Sequence, residues 1–182
     1  MEWLIIVLVV AVVLVLTIVL YNRLVQLRNR VDNAWAQVDV QLKRRYDLIP
    51  NVVETVKGYA SHERDTLEAV VEARNAAQAA AGPEEQAHAE NMLTDALRRL
   101  FALAESYPEL RAAPNFAELQ TQLAETEDRI AVSRQIYNDS VLSYNNAVQT
   151  VPTNLVAGVA GFKTRPFFEA GDEADTPPAV DF

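Results

Sequence analysis

The sequence predicts an all-α protein in which an N-terminal transmembrane helix continues into an antiparallel, up-down-up-down four-helix bundle. Three observations predict this fold. The N-terminus holds a long uncharged apolar stretch, and after it apolar residues recur every three or four positions along much of the chain. Glycine is scarce, at 5 of 182 residues, whereas Ala, Leu, Glu, Gln and Arg, which favour helices, are common.

The apolar stretch at residues 3–20 is 18 residues long and carries no charge. As a helix it would extend about 27 Å, close to the hydrocarbon thickness of a bilayer. Trp3 and Tyr21 bracket it, as aromatic residues do at membrane interfaces. A cleaved signal peptide would carry positive charge before the apolar run, whereas the two residues that precede this one include no basic residue. We therefore predict a retained anchor over residues 1–21.

Basic residues after the span predict its orientation. Three arginines follow it closely, while Glu2 is the charged side chain that precedes it. Because positively charged flanks stay in the cytoplasm, the N-terminus is expected outside the cell membrane and the helical domain inside. The candidate membrane interface at this end comprises Trp3, Tyr21, Arg23, Arg28 and Arg30.

A long amphipathic helix is predicted directly after the span, over residues 22–57. Pro50 lies within it and is expected to kink the helix without ending it. Gly58 is the expected C-terminal signal. The inward positions, spaced by three or four residues, are Leu24, Leu27, Val31, Trp35, Val38, Leu42, Tyr46, Ile49, Val53 and Val56.

Two shorter helices are predicted next, over residues 61–80 and 83–106. Ser61 is the candidate N-cap of the first. Gly82 and Pro83 separate the two helices, because Gly suits a helix end and Pro suits a first turn. The expected central or inward positions are Leu67, Val70, Val71 and Arg74 in the first helix, and Met92, Leu93, Ala96, Leu100 and Leu103 in the second.

The fourth helix, over residues 116–149, has the clearest pattern. Asn115 and Glu118 form a capping box at its start. Its inward positions follow a heptad seam that contains several small and hydroxyl residues, so packing within the same chain is preferred to a separate coiled coil. Its length of about 51 Å matches the roughly 54 Å of the first helix. The seam positions are Phe116, Leu119, Leu123, Thr126, Ile130, Ser133, Tyr137, Ser140, Tyr144 and Ala147.

A pair of residues repeats within this helix, as Tyr137-Asn138 and Tyr144-Asn145. The seven-residue separation places both tyrosines on one face of the helix. We expect core tyrosines with hydrogen-bonded hydroxyl groups.

The helical bundle is predicted to end near residue 150. A return segment over residues 151–168 is expected to be irregular, and residues 169–182 form an acidic tail that is expected to be disordered. If the fourth helix ends near the bilayer, aromatic and basic residues of the return segment join the membrane interface; alternatively they pack against the base of the first helix. These residues are Phe162, Lys163, Arg165, Phe167 and Phe168.

Composition argues against several function classes. The chain has no cysteine, two histidines and a net charge of −9, so thiol chemistry is excluded and nucleic acid is an unexpected partner. Glu85 and His88 have the spacing of a bundle di-metal site, but the second copy of the motif that such a site needs is missing. We predict no catalytic residue, no metal, no cofactor and no small-molecule substrate.

Three stretches together resemble the LemA family. They are residues 21–63, residues 136–148 (IYNDSVLSYNNAV) and residues 161–169 (GFKTRPFFE), and the most specific part is RRYDLIPN at residues 44–51. The resemblance implies an antiparallel helical bundle on a bacterial membrane. It implies no settled biochemical activity.

The RRYDLIPN block suggests an interaction surface, since a generic bundle does not demand its order of charges and proline. Ordinary surface ion pairs are the alternative interpretation, for example Asp39 with Lys43. Direct lipid binding is disfavoured, because the block lies about 36 Å along the helix from the span and the Debye length is about 8 Å. The candidate surface comprises Arg44, Arg45, Asp47, Pro50 and Asn51.

Two functions remain open from the sequence. The first is a non-enzymatic scaffold or adaptor that presents helical surfaces to other membrane proteins or to copies of itself. The second is a membrane-organising protein that acts on lipids through the juxtamembrane arginines and the aromatic and basic C-terminal segment.

Overall fold

The computed structural model describes residues 1–169, and within them the secondary structure is helical with no strand. The predicted all-α class is confirmed. Of the predicted acidic tail, only Glu169 falls within the described residues. The helices are α1 (Glu2–Tyr59), α2 (Arg64–Ala79), α3 (Pro83–Ala104), α4 (Pro108–Arg111), α5 (Pro114–Gln149) and α6 (Thr153–Ala160).

Helix α1 is continuous from the apolar stretch into the folded domain. It is the one helix within residues 1–169 that is long and apolar enough to cross a membrane, with a mean hydropathy of 3.5 over an 18-residue window that is not buried at all. Pro50 lies inside α1, which continues to Tyr59, one residue past Gly58. Most of the predicted inward positions of α1 are buried, and Leu27, Trp35 and Val53 are partly buried against the core.

Helices α1 and α5 pack along each other as an antiparallel pair. Arg45 pairs with Glu127, and ten residues nearer the membrane Trp35 contacts Tyr137. The predicted seam of α5 is confirmed: seven of its positions are buried and the other three are partly buried. The heptad pattern was readable because one face of α5 contacts one partner helix along its length.

Helices α2 and α3 form a shorter hairpin. Side chains of both helices bond to α1 at Arg45 and Tyr46, so the hairpin covers the membrane-distal part of α1. The up-down-up-down arrangement of four helices stays a prediction. Val71 was predicted in the middle of α2 and Met92 inward in α3, but both side chains are exposed. The buried face of each short helix is narrow and does not include them.

Two predicted helix starts are wrong. Helix α2 begins at Arg64 after a turn, so Ser61 is not its N-cap. Helix α5 begins at Pro114 with Ala113 as N-cap and no side-chain capping bond, which places Asn115 inside the first turn. Pro114 explains the shift, since proline at the first helical position has no N–H group to satisfy.

Candidate functional site

A buried polar network joins α1, α3 and α5 in the membrane-distal half. Arg45 of α1 is 3% exposed, and its Nη1 lies 3.1 Å from Glu90 Oε2 of α3 and 3.2 Å from Glu127 Oε2 of α5. Its Nη2 donates to the hydroxyl of Thr94 at 2.8 Å. The planar guanidinium therefore bridges three helices, a geometry that lysine could not reproduce.

The network extends through Tyr46 to the α2–α3 hairpin. The Tyr46 hydroxyl donates to Glu90, and Gln86 Nε2 lies within hydrogen-bond distance of that hydroxyl, of the Ala77 carbonyl and of Glu90 Oε1, at 2.8, 3.0 and 3.0 Å. Burial raises the pKa of Glu90 above its ordinary value, although its bonds with Tyr46, Arg45 and Gln86 oppose the shift. Burial and the adjacent Glu90 also raise the pKa of Tyr46. The hydroxyl therefore stays protonated as a donor.

Pro50 and Arg74 are linked through the backbone carbonyl of Tyr46. Proline has no N–H, so Pro50 leaves the carbonyl of Tyr46, four residues earlier, without its helical partner. Arg74 Nε of α2 donates to that carbonyl at 2.8 Å. The proline of the RRYDLIPN block is thus accommodated by a specific side chain of the hairpin.

The predicted interaction surface therefore divides into two faces. Arg45 was predicted to belong to it but is buried, because two carboxylates and a hydroxyl from neighbouring helices bind its guanidinium inside the fold. The other four residues, Arg44, Asp47, Pro50 and Asn51, are exposed. Within residues 1–169 the side chains of Arg44, Asp47 and Asn51 make no hydrogen bond or ion pair. We call these four residues the outer stripe.

In the membrane-proximal half, two asparagines bind an extended segment at residues 162–169, which we call the strap. Asn145 accepts from the N–H of Arg165 and donates to its carbonyl, both at 2.8 Å. Asn138 makes the same pair of bonds with Phe168, at 2.9 and 3.0 Å. The seven-residue step from Asn138 to Asn145 along the helix and the three-residue step from Arg165 to Phe168 along the extended strap both span about 10 Å. The two asparagines are therefore spaced to bind the two backbone positions.

Aromatic rings complete the attachment of the strap. Phe168 is 1% exposed and packs edge-on against Trp35 at 5.7 Å between ring centroids, with the Arg134 guanidinium 5.9 Å from its ring centre. Tyr137 donates its hydroxyl to the Pro166 carbonyl at 2.9 Å. Phe168 was predicted at the membrane interface as one alternative; it packs in the bundle instead, since Asn138 and Trp35 hold it there.

The strap also contacts the base of α1. Phe162 packs edge-on against Tyr21 at 5.7 Å, and the Arg28 guanidinium lies 5.4 Å from its ring centre. Arg165 pairs with Asp32 at 3.2 Å. The remaining candidate interface residues, Trp3, Arg23, Arg30, Lys163 and Phe167, are exposed.

The Glu85 and His88 pair is not part of a metal-binding cluster within the described residues. No group of three or more His, Cys, Asp or Glu side chains converges in residues 1–169. Glu85 accepts a hydrogen bond from the Ala81 N–H at 3.1 Å, next to the start of α3, and His88 is exposed. Glu85 therefore accepts a backbone hydrogen bond beside the N-terminus of α3, where a negative charge is favourable.

Sequence reasoning missed several residues that organise these sites. Glu90 and Gln86 looked like ordinary polar positions of a surface helix, although both lie on the buried face of α3 with Leu93 and Leu97. A signal for Asn138 and Asn145 was present, because each follows a repeated tyrosine. The tyrosine repeat predicted two core positions, and no role was predicted for the amides beside it.

Comparison with known proteins identifies the family. The model of the LemA family matches residues 34–182. Magnetosome proteins MamQ 1 and MamQ 2 of Paramagnetospirillum magneticum are each 37% identical to this chain over 83 residues, which is 46% of this chain and 30% of theirs. The chain therefore matches less than a third of the length of these two relatives.

Other relatives align over more of the chain. Magnetosome protein MamQ of Magnetospirillum gryphiswaldense is 28% identical over 183 residues, covering 86% of this chain and 67% of the relative. Protein LemA of Metamycoplasma hominis is 26% identical over 155 residues, covering 83% and 69%. None of these names is that of an enzyme. Because the family model spans most of its length, the chain belongs to the LemA family.

Proposed function

We propose that this protein is a membrane-anchored, non-enzymatic scaffold whose outer stripe on α1 binds another membrane protein or a second copy of the chain. The apolar helix and the family indicate a membrane location. The observation that carries the proposal is the division of the RRYDLIPN block. Its inner residues are explained by internal contacts, whereas Arg44, Asp47 and Asn51 have no side-chain bond within residues 1–169.

The arrangement of the outer stripe supports the proposal. Arg44, Asp47 and Asn51 follow one another at spacings of three and four, so they share one face of α1. Val40, four residues before Arg44, extends this face and is 62% exposed. The surface therefore combines charged and amide side chains, which can form hydrogen bonds with a partner, with the apolar side chain of Val40, which a partner can bury.

Orientation is part of the proposal. Arg23, Arg28 and Arg30 follow the span and favour a cytoplasmic domain with a single crossing of the cell membrane. The test is a set of reporter fusions at the C-terminus. Activity of a cytoplasm-dependent reporter supports the proposed orientation, and activity of a reporter that works only in the periplasm contradicts it.

The test of the scaffold is photo-crosslinking in the membrane. A photoreactive amino acid replaces Val40, next to the outer stripe, or Val132, which is 58% exposed on α5, as a control position. The test variant is Arg44→Glu with Asp47→Lys, which reverses both charges and leaves the net charge unchanged. The matched control, Asp128→Lys with Arg129→Glu, makes the same reversal on the exposed side of α5.

The proposal expects discrete adducts from Val40 that disappear in the α1 variant and persist in the α5 control. Adducts that are unaffected by the α1 reversal, or an absence of adducts at Val40, contradict it. Self-adducts that respond in the same way identify the partner as a second copy.

The alternative, action on lipids through the juxtamembrane arginines and the aromatic and basic C-terminal segment, has weaker support. Phe168 packs in the bundle, Phe162 and Arg28 contact each other, and Arg165 pairs with Asp32. Loss of membrane organisation in an Arg23→Gln, Arg30→Gln variant, with the Val40 adducts intact, would favour this alternative. These two arginines are exposed, and their side chains make no hydrogen bond, ion pair or ring contact within residues 1–169.

A further inference from the structure

An apolar row lies uncovered on α6. Leu155 and Val159 are four residues apart on α6 and are 67% and 94% exposed, and Val151, two residues before the helix begins, is 75% exposed. The helix packs on α1 and α5, and its own buried residues are Thr153 and Ala157. Because α6 contains no charged residue, nothing on the helix itself favours solvation of this row.

The register of the long helices places α6 at the membrane end of the domain. On moving from the Arg45–Glu127 contact to the Trp35–Tyr137 contact, α1 and α5 each advance ten residues in opposite directions. Continued to the end of α5, this register brings Gln149 level with Arg23.

The other end of α6 lies at nearly the same level. Phe162, just after α6, contacts Tyr21, the first residue beyond the predicted span. Both ends of α6 therefore lie close to the point where α1 leaves the membrane. A helix with both ends at one level runs across the long axis of α1, and therefore along the plane of a bilayer that α1 crosses.

The charge distribution at this end complements a lipid surface. Residues 21–31 and 140–163 contain no Asp or Glu, although the whole chain has a net charge of −9. Four exposed basic residues lie in these two segments, namely Arg23, Arg28, Arg30 and Lys163. An apolar row bordered by cationic side chains has the composition of helices that lie at the boundary between lipid headgroups and acyl chains.

We propose that α6 is an interfacial helix that lies in the bilayer leaflet where α1 emerges. Leu155 and Val159 enter the boundary between headgroups and acyl chains, and the exposed side chains of Arg23, Arg30 and Lys163 contact lipid phosphates. The bilayer is favoured as the partner of this apolar face because both ends of α6 lie beside the point where the membrane span of α1 ends. The domain is thereby attached to the membrane at two places, which fixes its tilt. This inference does not depend on the proposed partner of the outer stripe.

The test measures depth by spin labelling of the full chain in lipid vesicles of phosphatidylcholine with and without phosphatidylglycerol. The chain has no cysteine, so single substitutions Leu155→Cys and Val159→Cys each introduce one labelling site. Val132→Cys, exposed on α5, is the matched control position. Power saturation then compares the exposure of each label to oxygen, which concentrates in lipid, and to a water-soluble nickel complex.

We expect labels at 155 and 159 to show an oxygen-to-nickel accessibility ratio several-fold higher than the label at 132. The difference should persist in phosphatidylcholine alone, since apolar burial supplies it, and increase with phosphatidylglycerol. Equal ratios at all three positions would overturn the proposal. Protection at 155 with spin–spin broadening that vanishes on dilution with unlabelled protein would also overturn it, because the row would then be covered by a second copy.

Discussion

The two halves of the α1–α5 pair hold an additional segment by different chemistry. In the membrane-distal half, buried charges centred on Arg45 and Glu90 attach the α2–α3 hairpin. In the membrane-proximal half, the neutral amides of Asn138 and Asn145 and a set of aromatic rings attach the strap. The charged half bears a desolvation cost and responds to pH, whereas the neutral half satisfies backbone groups without burying an ion.

The largest loss of stability is expected when one carboxylate of the charged half is removed and the Arg45 guanidinium is left buried. Glu90→Leu leaves the Arg45 guanidinium buried with only Glu127, whose side chain is half exposed, as its carboxylate partner. Removal of one member of a buried ion pair costs about 3–5 kcal/mol of unfolding free energy. Urea unfolding of the full chain in detergent, followed by circular dichroism, measures this loss.

The matched control removes both charges. Arg45→Met with Glu90→Leu no longer buries an unpaired ion, so it should be more stable than Glu90→Leu alone. A double variant that loses as much as the sum of both single variants would show that the two side chains act independently. The network would then not be a coupled unit.

A smaller loss is expected where the hairpin compensates for Pro50. Arg74→Met leaves the Tyr46 carbonyl without a partner, which costs about 1–3 kcal/mol if that group stays buried. In a Pro50→Ala background the helix can supply its own N–H to that carbonyl, so the same Arg74 substitution should cost less. Equal costs of Arg74→Met in the two backgrounds, measured by urea unfolding, would contradict this link between the two residues.

In the neutral half, Asn145→Ala should release the strap without unfolding the bundle. The substitution deletes two hydrogen bonds to the backbone of Arg165, a loss of about 1–3 kcal/mol. Trypsin should then cut after Lys163 faster than in the unaltered protein, which mass spectrometry of the released peptide would detect.

The matched control for the strap is Asn146→Ala, which changes an exposed neighbour on the same helix. Cleavage should remain slow in this control. Equal cleavage rates in the unaltered protein and in Asn145→Ala would show that the amide pairs do not hold the strap.

The smallest effect concerns pH. Burial raises the pKa of Glu90, so the folded state holds this proton more tightly than the unfolded state does. The resulting stabilisation is full below the ordinary pKa of 4.5 and is lost as pH rises through the folded value. The stability of the unaltered protein relative to Glu90→Gln should therefore decline with rising pH in thermal unfolding curves. Parallel curves for the two proteins would contradict the assignment.

The sequence predicted those features that repeat along one face. The seam of α5 and the inward positions of α1 were readable because each contacts its partner over many turns, so the period of three and four residues persists. The separation of α2 and α3 was readable because glycine and proline mark a helix boundary. In the structure Gly82 has a positive φ of 85° and Pro83 is the first residue of α3.

Features fixed by single long-range contacts were not readable. Arg45 was assigned to an exposed surface because nothing in the local sequence shows that Glu90 and Glu127 approach it from two other helices. Helix α6 was taken as irregular because its eight residues are too few to establish a helical period. In both cases tertiary packing, and not local propensity, determines the outcome.

We propose that the RRYDLIPN block has an inner face that stabilises the fold and an outer face that is available to a partner. The most direct test is the unfolding free energy of the charge-reversed Arg44→Glu, Asp47→Lys protein, measured on the same preparation that is used for crosslinking at Val40. We expect the unfolding free energy to change by less than about 0.5 kcal/mol, as for ordinary surface positions, and the Val40 adducts to disappear. A loss of stability as large as that of Glu90→Leu, or full retention of the adducts, would contradict it.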